Sequence, residues 1–197
     1  MSSGISRTDA WSLLCDWVQS EGLRRHCQAV EASMRAYARR AGADEELWGV
    51  VGLLHDMDYE RHPDMDADDG HPRTAMRVLS ERGVDPAIVR AIASHADFMD
   101  VSRDSEMEKT LYAVDELSGF VLACAYVRPQ GIHGLTPKSV KKKLKQPSFA
   151  AAVNREDVTR GAEQLGVDLD EHITIVIGAL EERADDLGLN GAAADPA

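Results

Sequence analysis

The chain has 197 residues, of which 44% are apolar, 28% charged and only 5% aromatic; this excludes a disordered chain and a disulfide-stapled miniature, and the length is enough for one core that buries about 70% of the unfolded surface. The formal net charge of −12 opposes broad adhesion to nucleic acid or to an anionic membrane. Cys15, Cys27 and Cys124 form no C-x-x-C pair, the N-terminus has no apolar leader, and the longest apolar runs (120–127 and 173–180) fall far short of the roughly 20 residues of a membrane span, so the expectation is a cytoplasmic protein with reduced thiols.

Periodicity and caps predict helices almost throughout and no sheet. The first spans 9–19 with Thr8 as its cap. The second spans 21–41, where Leu23, Cys27, Val30, Met34, Tyr37 and Ala41 step by four and three along one stripe, and Gly42 ends it. Asp44 caps a third, 45–56, that is apolar nearly all round and therefore central. The acidic segment 58–70 has no helical period and reads as a loop. A helix over 71–82 stops at Gly83, and Asp85 caps the next, 86–95, with Pro86 at its first position. A long helix covers 106–127. Thr136 and Pro137 open a lysine-rich helix, and Asn154 and Asp168 cap the last two. The predicted architecture is all-α: an extension over 1–7, one helical-bundle domain over 8–187 with an inward-facing metal site, and a disordered tail over 188–197.

The dipeptide His55-Asp56 could hold a metal from one helix end, but 7 His and 20 Asp in 197 residues supply about 0.7 such pairs by chance, so placement has to carry the argument. At about 100° per residue, Asp115 falls in the apolar stripe of Leu111 and Leu122, and a lone buried carboxylate is costly. His26, His55, His71 and His95 fall beside apolar residues of their own helices. A divalent cation compensates the carboxylates and takes neutral imidazole as ligand, which makes the ensemble a metal site. His172 also faces inward with nothing else around it that invites a metal, so any one of these histidines alone reads as a satisfied core residue. His62 and His133 lie in loops and are expected to be exposed.

The order His26, His55-Asp56, His71, His95, Asp115, within segments such as LWGVVGLLHDMDYE and LYAVDELSG, resembles the HD-domain superfamily of metal-dependent phosphohydrolases, and most of all its small stand-alone bacterial HDIG-type proteins. The resemblance covers about residues 10–182. Where that subgroup has Ile-Gly after His-Asp, this chain has Met57-Asp58. The resemblance implies that His26, His55, Asp56 and Asp115 bind one divalent ion and that His71, His95 and the bridging Asp56 bind a second, with iron or manganese as the usual metals. It also implies hydrolysis of a small phosphate ester such as a nucleotide or related metabolite, with metal-activated water attacking in line. Asp56 and Asp58 are the candidate catalytic carboxylates, although Asp58 reads more readily as a solvated loop residue.

Five of the six lysines, Lys138, Lys141, Lys142, Lys143 and Lys145, fall within eight residues. On a helix from Pro137, four of them share a face, and the expectation weighs a solvated surface against an anion clamp of Arg128, Lys138, Lys141, Lys142 and Lys145 closing over a small phosphorylated substrate. Two other functions use the same ligands: an HD-type di-iron oxygenase that cleaves an organophosphonate, and a non-catalytic module whose metal only stabilises the bundle. Specific nucleic-acid binding has no motif to support it, and the oligomeric state is left open.

Overall fold

A computed structural model describes residues 4–191, and within them ten α-helices and no strand. These are α1 (Arg7–Trp17), α2 (Glu21–Ala41), α3 (Glu45–Leu54), α4 (Arg73–Glu81), α5 (Pro86–His95), α6 (Glu106–Tyr126), α7 (Pro137–Leu144), α8 (Arg155–Leu165), α9 (Leu169–Glu181) and α10 (Ala184–Leu187). The expected tail over 192–197 lies outside the described residues. Residues 188–191 are described: Leu189 is buried and its carbonyl accepts from Ile132 N–H at 2.8 Å.

The two longest helices, α2 and α6, pack on each other at the centre, with α3 and α9 on α2 and with α5 and α8 on α6. After its acidic first turn α3 is buried from Trp48 to Leu54, because it has no polar face to present there. Caps follow the chemistry of the sequence: Asp44, Asp85, Ser105, Thr136, Asn154 and Asp168 each accept from the first turn of their helix, and α2 stops at Gly42, where φ is 64°. α1 starts earlier than expected. Ser6, not Thr8, accepts from Asp9 N–H at 3.1 Å, and Ser6 Oγ also donates to the Asp9 carboxylate, so the cap sits two residues upstream. No helix among the described residues is long and apolar enough to cross a membrane. Cys27 and Cys124 are buried and all three cysteines are free.

Two buried polar links fix α2 against its neighbours. Ser33 Oγ meets Ser118 Oγ of α6 at 2.9 Å, and Tyr37 OH meets His172 Nδ1 of α9 at 2.6 Å while His172 Nε2–H donates to Ala113 O at 2.9 Å. Both ring nitrogens of His172 are therefore satisfied, and burial holds its pKa below the usual value. This histidine is structural.

The approach of α3 to α2 depends on Gly52. A Cβ there would lie 2.8 Å from Glu31 N and 2.9 Å from Glu31 Cα, against backbone that cannot rotate away. Gly52→Ala should push the two helices apart and cost about 1–3 kcal/mol, read as a lower midpoint in urea unfolding at unchanged slope.

Candidate metal centre

The His-Asp pair sits where α3 stops. His55 keeps helical dihedrals as the C-cap, and the chain then tightens into i→i+3 turns, with Met57 N–H on Leu54 O and Tyr59 N–H on Asp56 O. This tightening turns the neighbouring side chains of His55 and Asp56 toward one place. His26 reaches it from α2, His95 from the last residue of α5 and Asp115 from α6. His71 corrects the expectation that each histidine stands on a helix. It precedes α4 by two residues, because Pro72 disfavours the helical region for the residue before it.

The six side chains form two groups joined by one carboxylate. His26 Nε2, His55 Nε2 and Asp115 Oδ1 lie 3.0–3.3 Å from one another. Asp56 Oδ2 faces the same group, 3.7 Å from His26 and 3.5 Å from His55. Its other oxygen, Oδ1, faces a second group, 3.4 Å from His71 Nε2 and 3.7 Å from His95 Nε2, and those two nitrogens are 3.2 Å apart. Both groups have the composition and spacing of cation sites.

The tautomers show which atoms could hold a cation. His55 Nδ1–H donates to Gly52 O at 2.8 Å, His95 Nδ1–H to Ile92 O at 2.5 Å and His71 Nδ1–H to Asp58 Oδ1 at 2.7 Å. In a neutral ring each Nε2 then carries only a lone pair. Two lone pairs at 3.2 Å repel unless a proton or a cation lies between them. Imidazole nitrogen with carboxylate oxygen is a donor set suited to divalent transition metals, so the residues fit such ions.

In the absence of metal the neighbouring carboxylates hold a proton on His55. Burial opposes charge on His55, but the carboxylates of Asp56 and Asp115 outweigh it and raise its pKa to about 9. Burial likewise opposes charge on Asp56 and Asp115, and the surrounding imidazoles, His55 first, still hold both well below the usual carboxylate range. The sign of the linkage follows. A His55 raised above its unfolded value stabilises the metal-free fold fully below pH 6.5, and that contribution is lost as pH rises through about 9. A metal must displace this proton, so apparent metal affinity should climb with pH by up to tenfold per unit and level off near pH 9, measured by competition against a chelator of known pH dependence.

Asp58 overturns the solvated-loop reading. It is fully buried; Oδ1 accepts from His71 and Oδ2 accepts from Ala75 N–H at 2.7 Å in the first turn of α4. Such a carboxylate fixes the ring and tautomer of the imidazole it touches.

The cluster opens onto a cavity of about 660 Å³, lined by five of the six side chains. Its outer walls were not legible in the sequence. Beyond the cluster its lining includes the apolar Tyr59, Met65 and Phe98 and the polar Tyr112, Glu116, Asn154, Asp157 and Arg160. Burial, then the neighbouring Asp115, raises Glu116 to about 7. The only early signal was Tyr59, an aromatic residue in an acidic loop of an aromatic-poor chain; Asp157 and Arg160 look like ordinary solvated positions of α8.

None of the expected clamp residues lines this cavity. Lys141 pairs with Asp170 of α9 at 2.7 Å, Lys138, Lys142 and Lys145 are exposed, and Arg128 donates to His133 O. The physical reason is that Val140 anchors the apolar side of α7 in the core, and the lysines take what is left, the solvent side. The cation that does line the cavity is Arg160. His133 is exposed and His62 half-buried beside Asp69.

The HD domain family model matches residues 23–119, a segment that contains all six clustered side chains and ends before α7. No curated protein and no solved structure matches the chain.

Proposed function

Because residues 23–119 form an HD domain and so place the chain in the HD-domain superfamily, we propose that it is a metal-dependent phosphohydrolase acting on a small phosphate ester through two divalent ions, iron or manganese. The observation that carries this reading is the joining of the two donor groups by Asp56 at the floor of an open cavity. A purely structural metal is normally closed off by its ligands, which disfavours the non-catalytic alternative.

His26, His55, Asp115 and Asp56 Oδ2 are assigned to one ion, and His71, His95 and Asp56 Oδ1 to the other. Such a pair supplies Lewis acidity at the phosphoryl group and a lowered pKa for water. The chain supplies the rest. Carbonyls of Gly52 and Ile92 and the carboxylate of Asp58 hold the Nδ1 protons of three rings and aim their Nε2 atoms inward, toward the ions that would take the place of any Nε2 proton.

Metal quantification on protein purified without chelators, paired with phosphomonoester and phosphodiester panels, tests the proposal. About two ions per chain with release of phosphate is the expected result. Oxygen uptake with an organophosphonate and no phosphoester turnover transfers the site to the oxidative alternative, and bound metal without either activity returns it to the structural one.

A further inference from the structure

Among the described residues only five large apolar side chains are left exposed, and three of them, Tyr59, Met65 and Phe98, stand together at the mouth of the metal cavity. Scattered apolar residues on a surface need no explanation, whereas a cluster bordering a cavity marks a binding surface. The cluster is also held in place. Arg73 donates to the Met65 carbonyl at 2.6 Å while its guanidinium lies 5.5 Å over the Phe98 ring, so one side chain ties both loops together. Phe98 belongs to a single 3-10 turn, Asp97–Met99, closed by Asp100 at φ 53°, a left-handed conformation that a non-glycine residue adopts at a cost. Tyr59 stands edge-on to the His71 ring at 5.4 Å, which places the collar directly above the floor.

The rest of the outer lining is polar, and its cation is already engaged. Arg160, the only cation among the lining residues, donates to Asp97 Oδ2 at 2.5 Å, to the Asp157 carboxylate and to Tyr112 OH at 2.6 Å. Asp97 is further held by Arg103 at 2.7 Å. No free positive charge lines the cavity to receive phosphates beyond one bound at the floor.

We propose that Tyr59, Met65 and Phe98 form an apolar collar that selects the organic part of the ligand, so that this site takes a monophosphate with an aryl or long alkyl group and discriminates against polyphosphates and small polar esters. The proposal deepens the phosphohydrolase reading and rests on it for the reaction: the ester P–O bond breaks, water provides the new P–O bond, and the leaving oxygen departs as an alcohol after taking a proton.

Binding of phosphonates in the absence of oxygen, where neither hydrolysis nor oxygenation consumes them, separates the two claims. With metal-loaded protein, 2-phenylethylphosphonate should bind about tenfold more tightly than 2-hydroxyethylphosphonate by calorimetry, a ratio in keeping with the burial of one aromatic group. In Phe98→Ala and Met65→Ala, whose positions touch no candidate ligand, the ratio should fall toward one at unchanged metal content. Adenosine monophosphate should compete better than adenosine triphosphate. A ratio near one in the unaltered protein, a ratio that survives both substitutions, or preference for the triphosphate overturns the collar. Retained discrimination by the unaltered protein without turnover of 2-phenylethyl phosphate upholds the collar and removes hydrolysis alone.

Discussion

Asp56→Asn should strip the centre of metal and lower turnover by about 10³-fold or more, while far-ultraviolet circular dichroism stays close to that of the unaltered chain. The reason is the division of labour within one carboxylate: Oδ2 faces His26 and His55, and Oδ1 faces His71 and His95. An amide keeps the shape but offers one oxygen, so one group of donors meets an NH₂ that cannot ligate. The loss of several kcal/mol of Lewis-acid stabilisation converts to three or more decades in rate. The helices should survive, because the backbone around residue 56 is set by the i→i+3 turns after α3 and not by this carboxylate. Metal analysis and phosphate release on the same preparation check it. Full metal content with full activity would show that the centre lies elsewhere.

Asp58→Asn should act on one ion only. Both oxygens of Asp58 accept, one from His71 Nδ1–H and one from Ala75 N–H. An asparagine must turn its NH₂ toward one of these donors. If it faces His71, the ring has to accept at Nδ1 and carry its proton on Nε2, which removes a ligand from the second site. If it faces Ala75, the start of α4 loses a buried acceptor and the backbone that carries His71 shifts. In either orientation the affinity for the second ion should fall about 10–100-fold, with the first ion, held by His26, His55 and Asp115, retained. A chelator competition that resolves two steps reads this directly. Equal weakening of both steps would assign Asp58 a role in the whole fold and not at His71.

Part of this result was legible before any coordinates. Helical period and cap residues gave α2, α5 and the caps of α3, α7, α8 and α9, because both signals are local: a side-chain oxygen reaches an amide two or three residues on, and a stripe repeats within a turn. The same locality made Asp115 conspicuous as an acid in an apolar stripe. It failed where geometry depends on partners distant in sequence. Asp58 looked solvated because its segment is acidic, yet Ala75 and His71 bury it. The lysines of α7 share a helix face that could meet solvent or clamp an anion, and Val140, which no local signal places, decides which way that face turns.

The sequence by itself determined that the chain is helical, that its core is one stripe-lined bundle, and that four histidines and two acids demand compensation. Only the tertiary structure decided that Asp56 divides its two oxygens between two donor groups, that Asp58 stands behind His71, and that the cavity is lined by Tyr59, Met65 and Phe98 together with residues of α6 and α8. The physical reason is range. Periodicity and capping act over one or two helical turns and are written in neighbouring residues, whereas a cavity is the space left between helices. Its walls depend on crossings such as that of α2 with α3 at Gly52, which no single helix encodes.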